Sequence, residues 1–353
     1  MSHLEERMEK DLNYVRDWLW KIGEDVEAAL RSAKTTLIIR DQKLANEVVL
    51  GDHPINRDSR QCDRLCHTFI ARYLPGAGAL REMASTIRVN VILERIGDYA
   101  VTICRESLQL DAPLPEKFSA RIDSLADDSI DILSGARSAF REGNAERAIA
   151  LMDAVKRMEG RMDGFYEELF AEDDRMDATT MMVIFAVFNI FKRVGDQAKN
   201  ICDQTVFAVH GVKKLPKTYR ILFLDQPGCS TAQLATAIGR KNFQETAQFS
   251  TAIPGVQEAA SPQLMEFLNE TGLPDEDLQS ERLEALEHDL SDYIVVISVN
   301  GPVSGYVQKV PFHTSFLDWT LPEGMTLADQ YRELRDRISG LLGLLAGIET
   351  TQA

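Results

Sequence analysis

From the start of the chain to about position 213, apolar residues recur every three to four positions, the period of a helix with one buried stripe. The pattern predicts amphipathic helices over about 4–33, 55–74, 79–110, 116–143, 144–172 and 177–209. Breaks are expected at Gly51–Pro54, Pro75–Gly78, Pro113–Pro115 and Gly143–Asn144, where Gly and Pro punctuate the chain, and at the acidic run Glu172–Asp174. A short basic linker, Val212–Lys217, leads into a different pattern. Arg220–Leu224 and Tyr293–Val299 are continuous apolar runs, and helix-like segments fall at 231–240, 262–271 and 326–346. Strands alternating with helices predict a parallel sheet.

One stretch of the helical region is used twice. ERIGDYAVTIC at 94–104 returns as KRVGDQAKNIC at 192–202, so Arg95, Gly97, Asp98, Ala100, Ile103 and Cys104 reappear as Arg193, Gly195, Asp196, Ala198, Ile201 and Cys202. A repeat of this kind indicates a duplicated structural unit. The expected organisation is a pair of three-helix bundles, residues 1–112 and 113–213, followed by an α/β domain at 218–350.

On a helix turning 100° per residue, Val89, Ile92, Leu93, Ile96, Ala100 and Ile103 form one apolar stripe, and Glu94 and Asp98 lie together on the opposite side. Such a pair is either a solvated acidic face or, with a further acid from a neighbouring helix, an oxygen-rich set for a hard cation or iron. Asp63, Asp52 and Asn56 are the candidates on the preceding helix, and the expected metal set is Glu94, Asp98 and Asp63.

The formal net charge of −16 argues against a non-specific nucleic-acid or anionic-membrane binder and suits cationic partners, metal ions included. No apolar run approaches the roughly 18 residues of a membrane span, so no membrane insertion is expected. The first residues are charged with no apolar stretch, so no secretory signal is expected, and five cysteines at low density suit a reducing cytoplasm. Cys62 and Cys66 have an i, i+4 spacing that metals can use, but no nearby set completes four ligands. Cys104 and Cys202 sit beside the apolar stripe as small buried residues.

The D-x-x-I-N pattern (Asp52, Ile55, Asn56), Pro75 with Leu80-Arg81 before the next helix, and the doubled ERIGDxAxxI helix together resemble the PhoU family of phosphate-signalling regulators. The resemblance covers about residues 1–210. It implies two three-helix bundles, outer-face acidic motifs that bind metal ions such as iron, zinc or another divalent cation, and negative regulation of phosphate uptake and the phosphate-starvation response. Implied partners are a sensor histidine kinase or a subunit of the phosphate ABC transporter. The resemblance and the exposed acidic face also suggest a homodimer. Two departures stand out: Ala79 replaces the acid usual before Leu-Arg, and Lys192 replaces the acid that opens the second motif. Lys156 falls about where the second D-x-x-I-N helix would carry Asp or Asn. An ammonium one turn from Asp196 would pair with it, leaving one metal-competent site and one relic.

Residues 219–347 resemble the low-molecular-weight protein tyrosine phosphatases and arsenate reductases, through Arg220–Leu224, Ser261–Gly272, Asp292-Tyr-Ile-Val-Val, Asp318-Trp319 and the terminal helix with Arg335, Asp336 and Ile338. That chemistry needs a strand-end Cys, five residues and an Arg, in a loop whose N–H groups cradle phosphate. Here the register places Asp225 at the nucleophile's position and Thr231 at the arginine's, with Cys229 inside the loop. The Asp-Pro of the general acid is missing too. A catalytically degenerate domain is expected, so the chain as a whole acts by binding; the alternative is a phosphatase or arsenate reductase regulated by the helical module, using Cys229.

Overall fold

The computed structural model describes residues 3–160, 165–170, 176–211, 218–255, 257–286, 290–307, 311, 314–322 and 324–347. The chain divides into two compact units, Met1–Lys214 and Leu215–Ala353. The predicted linker at 212–217 and the break at Glu172–Asp174 lie outside the described residues.

The first unit is helical. Its helices are α1 (His3–Ile39), α2 (Gln42–Tyr73), α3 (Ala77–Ser107), α4 (Glu116–Glu142), α5 (Ala145–Gly160), α6 (Phe165–Phe170) and α7 (Ala178–His210). Helices α1, α2 and α3 pack on one another as one bundle, and α4, α5 and α7 as another. The repeated motif occupies matching places on α3 and α7, which pack together at the centre.

Two expectations fail here for identifiable reasons. The first break is at Arg40–Asp41 and not at Gly51–Pro54: Arg40 turns into the left-handed region at φ 58°, and the Asp41 carboxylate caps α2 by accepting from the Leu44 N–H at 3.0 Å. Helix α2 then continues through Pro54. Proline there forfeits one backbone bond, and burial of Ala45, Val48 and Ile55 on either side outweighs that loss. Second, α7 is in fact long and apolar enough to cross a membrane. Its composition has a simpler cause: it packs against α3, α4 and α5 at once, and Val183, Ile184, Val187, Phe188, Phe191 and Val194 are all buried among them.

A ladder of ion pairs joins α1 to α4. Asp17 meets Arg141 at 3.2 Å, Glu27 meets Arg137 at 2.6 Å, Arg31 meets Asp131 at 3.7 Å, and Lys34 bridges Asp123 and Asp127 at 2.8 Å each. Most rungs are exposed and each contributes little. Arg137 differs, because its side chain is only 5% exposed. Its guanidinium also donates to the Trp20 carbonyl and lies 4.6 Å from the Trp20 ring centroid. Gly23 makes room for it, since a Cβ there would stand 2.2 Å from Arg137 Nε.

The second unit is a five-stranded, all-parallel sheet in the order β3-β2-β1-β4-β5. The strands are β1 (Tyr219–Leu224), β2 (Ala247–Ile253), β3 (Glu281–Arg282), β4 (Val295–Ser298) and β5 (Ser315–Asp318). Helices α8 (Thr231–Phe243), α9 (Pro262–Thr271), the single turn α10 (Leu283–Leu286) and α11 (Leu327–Ala346) complete it. Strand β1 lies between β2 and β4, and Ile221 to Leu224 are fully buried. Apolar side chains from both faces of the sheet join separate core clusters, as a doubly covered parallel sheet requires.

The Gly23 contact predicts an inverted glycine effect. Replacing an unobstructed helical Gly by Ala stabilises by up to about 1 kcal/mol. Gly51→Ala, with nothing within 4 Å of the new methyl, is expected to follow that rule. Gly23→Ala is expected to lose about 2 kcal/mol, because the methyl dislodges a buried, paired guanidinium. Urea unfolding followed by circular dichroism checks both signs.

Candidate acidic site and strand-end loop

Helices α2 and α3 run antiparallel, and two contacts fix their register. The Asn90 amide on α3 donates to the Ser59 carbonyl on α2 at 2.8 Å. Further along, a Cβ at Gly97 would lie 3.4 Å from Asp52 Oδ1 and 3.7 Å from Ile55 Cγ2. This register brings Asp52, not Asp63, to the Glu94–Asp98 turn. Asp63 lies about three turns, roughly 16 Å, further along α2. It faces His67, with 3.4 Å from Oδ2 to the ring Nδ1. Of the three residues expected to bind metal, the structure groups Glu94 with Asp98 and leaves Asp63 apart.

The site is therefore Asp52, Asn56, Glu94 and Asp98. The Asn56 amide donates to Asp52 Oδ2 at 2.6 Å. Asp52 Oδ1 and Asn56 Oδ1 are both buried and accept no hydrogen bond among the described residues. Burial pushes the Asp52 carboxyl pKa up, and the Asp98 charge adds to it; Asn56, His53 and Arg105 act against the rise. Glu94 is raised by burial first, then by Asp98 and Asp52, with Arg95 and Arg60 opposing. Mutual repulsion between three carboxylates, with two orphaned acceptor oxygens beneath them, is the electrostatic complement of a cation. Among the described residues no three His, Cys, Asp or Glu side chains stand close enough to hold an ion as they are. Glu94 is half-buried and Asp98 exposed, so both can rotate towards Asp52. An all-oxygen set of this kind suits a hard cation or iron.

The second repeat has a different filling. A Cβ at Gly195 would strike Met158 Cε at 2.4 Å and lie 4.0 Å from Val155 Cγ1. Val155 and Met158 thus stand over Gly195 as Asp52 and Ile55 stand over Gly97. Lys156 is exposed and pairs with Asp153 at 3.7 Å, away from that position. The acid of the first copy is replaced by a valine, and the space above the glycine is filled by a methionine methyl. Of the three acids, only Asp196 persists.

In the second unit, β1 ends at Leu224 and α8 begins at Thr231, so the intervening loop lies at the carboxyl edge of a parallel sheet, where α/β folds place ligands. Asp225 is 1% exposed there. Its Oδ1 accepts from the Gln226 N–H at 2.8 Å and from the Asn300 amide, and its Oδ2 from the Ala232 N–H at 2.9 Å. Glu258 supplies a second carboxylate, accepting from the Gly228 N–H at 2.9 Å. The Cys229 thiol pKa is raised by burial and by the charges of Asp225 and Glu258. A nucleophilic cysteine needs the opposite shift. Thr231 is buried and its hydroxyl faces Gln330 at 3.4 Å. At the end of β5, Asp318 accepts from Ser298 Oγ and the Val303 N–H, holding the adjoining loop. Sequence reading placed Asp225 correctly in the loop but missed Glu258, which lies outside any motif.

A raised folded-state pKa means that stability is present at low pH and lost as pH rises through the carboxylate range. The metal-free protein should therefore be strained at neutral pH by its own acids. Asp98→Asn, which removes the charge that both Asp52 and Glu94 feel, is expected to melt higher than wild type at pH 7 in chelator. The two curves should converge as the pH falls below about 4. A constant difference at every pH overturns this reading of the cluster.

Comparison with known proteins bears on the whole helical unit. A family model described as the PhoU domain matches residues 19–107 and 122–205. The chain is 30% identical over 214 residues to a phosphate-specific transport system accessory protein PhoU homolog of Pseudomonas putida, covering 59% of this chain and 83% of that protein. It is 29% identical over 213 residues to the accessory protein PhoU of Edwardsiella tarda, covering 60% of this chain and 87% of the other. The crystal structure of PhoU from Pseudomonas aeruginosa overlays 58% of this chain and 99% of its own with a TM-score of 0.55 at 26% identity. An arsenate reductase in the phosphate-binding state covers 36% of this chain with a TM-score of 0.30, too slight a likeness to argue from. By its duplicated helix, its fold and these relatives, the chain belongs to the PhoU family.

Proposed function

We propose that this protein regulates phosphate uptake and the phosphate-starvation response by binding, with its helical unit as the acting surface. The relatives are named as accessory proteins of the phosphate-specific transport system, which supports a component of the phosphate transporter as the docking partner, with a sensor histidine kinase as the second candidate. The observation that carries the reading is the turn holding Glu94 and Asp98 beside the buried, unpartnered Asp52 Oδ1. A cation bound by Asp52, Asn56, Glu94 and Asp98 would neutralise the repulsion among the acids and fix the local geometry of α2 on α3. The first repeat then carries the metal, and the second, with Val155 and Met158 above Gly195, carries none. A cytoplasmic location follows from the transporter and kinase partnership.

Turnover by the second unit is the competing reading. Asp225 stands where a phosphate dianion would bind, and burial, then the charges of Asp225 and Glu258, push the Cys229 thiol pKa up. These two features favour a domain without catalysis.

Two measurements separate the components. Protein purified without phosphate and analysed for bound metal should carry it in the wild type and lose it in an Asp52→Ala, Glu94→Ala, Asp98→Ala triple variant. Equal metal content in both would remove the site from the account. Pull-downs with the transporter ATPase subunit and the sensor kinase should recover one of them at high or low phosphate. An empty result under both conditions would defeat the regulator even if metal is bound.

A further inference from the structure

The loop between β1 and α8 has the form of an anion cradle that already contains its anion. Its donors point inward at the start of a helix of 13 residues, where unpaired N–H groups and the helix dipole favour negative charge. The Asp225 carboxylate meets them with both oxygens: Oδ1 on the Gln226 N–H and the Asn300 amide, Oδ2 on the Ala232 N–H. Glu258 takes the Gly228 N–H from the other side. The Asn300 carbonyl accepts from the Tyr306 hydroxyl, so the residue that braces Asp225 is itself braced. Both acids belong to the fixed structure, one at a strand end and the other joined to Ser280 through backbone bonds of 2.9 and 3.4 Å.

We propose that Asp225 is a built-in occupant of this cradle, a contact that closes the strand-end loop to phosphate and other external oxyanions. The contact also stabilises the domain, because the first turn of α8 keeps an acceptor that no ligand has to supply. This inference rests on the second unit alone and stands whether or not the helical unit holds metal.

The charge argument is simple. An incoming dianion would sit beside a carboxylate that is 1% exposed and cannot swing away without abandoning its donors. Expulsion would leave Gln226 and Ala232 N–H groups bare during exchange, and repulsion would persist afterwards. The neighbouring Glu258 adds a second negative charge at the same loop. Cleared of Asp225, the same donors would form an open, carboxylate-sized seat.

The test uses the full chain and two probes, sodium formate and inorganic phosphate, each balanced against sodium chloride at equal ionic strength. Hydrogen exchange of the amides in 224–232 is the local readout. In wild type these amides should be protected and unaffected by either probe. In Asp225→Ala, exchange of the Ala232 amide should accelerate about tenfold or more, the loss of one charge-assisted hydrogen bond. Formate, which restores the excised group, should return most of that protection. Protection unchanged in the variant, or faster exchange that formate does not slow, overturns the proposal. Should Asp225→Ala fail to fold, wild-type protein alone decides: titration calorimetry with phosphate at millimolar concentration should show no binding at this loop. Phosphate protection of the 224–232 amides in wild type would show an open cradle and refute the inference.

Discussion

The helical unit depends on how closely α2 lies on α3 at Gly97. A Cβ at Gly97 would stand 3.4 Å from Asp52 Oδ1, so the carboxylate packs directly over that turn, buried and accepting no hydrogen bond among the described residues. A buried polar atom left in this state costs about 1–3 kcal/mol, more if charged. Nothing in the packing requires it, since the second repeat fills the equivalent space with Val155 and Met158 and buries both completely or nearly so. One protein thus contains an acidic and an apolar filling of the same helix crossing. The difference between them measures what the acidic site costs in stability, and the gain has to come from a ligand or a partner.

The two bundles are bound together by unlike means. At α3 and α7 the contact includes Arg88 lying over the Phe207 ring and reaching Gln204, and Arg81 donating to the Ala208 carbonyl. At α1 and α4 it is an ion-pair ladder around the buried Arg137–Glu27 pair. A buried ion pair is rarely worth more than the apolar contact that could replace it, but it is intolerant of misalignment. Arg137 reaches Glu27 and the Trp20 carbonyl only if α1 and α4 keep one axial register. The pair thereby fixes how the copies are set against each other, which holds the outer faces of α2 and α3 in a constant presentation.

What could be read from the sequence follows from what periodicity encodes. Phase along a helix tells which residues share a face, and it put Glu94 and Asp98 outside the apolar stripe. It does not tell how far one helix has slid along its neighbour. Asp52 and Asp63 are both plausible partners by phase, and only the Asn90–Ser59 and Gly97–Asp52 contacts decide between them. The same limit explains Lys156, which the repeat spacing places near the second motif and the packing places outside it. Pro54 misleads in another way. A helix breaker is a local signal, and burial of α2 against α1 and α3 overrides it. In the second unit the buried central strands β1 and β4 announce themselves as apolar runs. Strand β2 alternates in burial at its start, β3 has only two residues, and β5, though as long as β4, is exposed or half-buried along its length.

The strand-end loop of the second unit meets a structural requirement of its own. A parallel sheet that turns into a helix leaves backbone donors at the turn, and these must be met by something. In a working phosphate loop, substrate or solvent anion meets them part of the time. Placing aspartate at the strand end satisfies the donors permanently. The turn then needs no ligand to satisfy it. Burial raises the Asp225 carboxyl pKa while three backbone N–H groups and the Asn300 amide pull it back down. Those donors are the reason an acid can be kept there at all. The same side chain is therefore both the barrier to an external oxyanion and a structural element of the loop it closes.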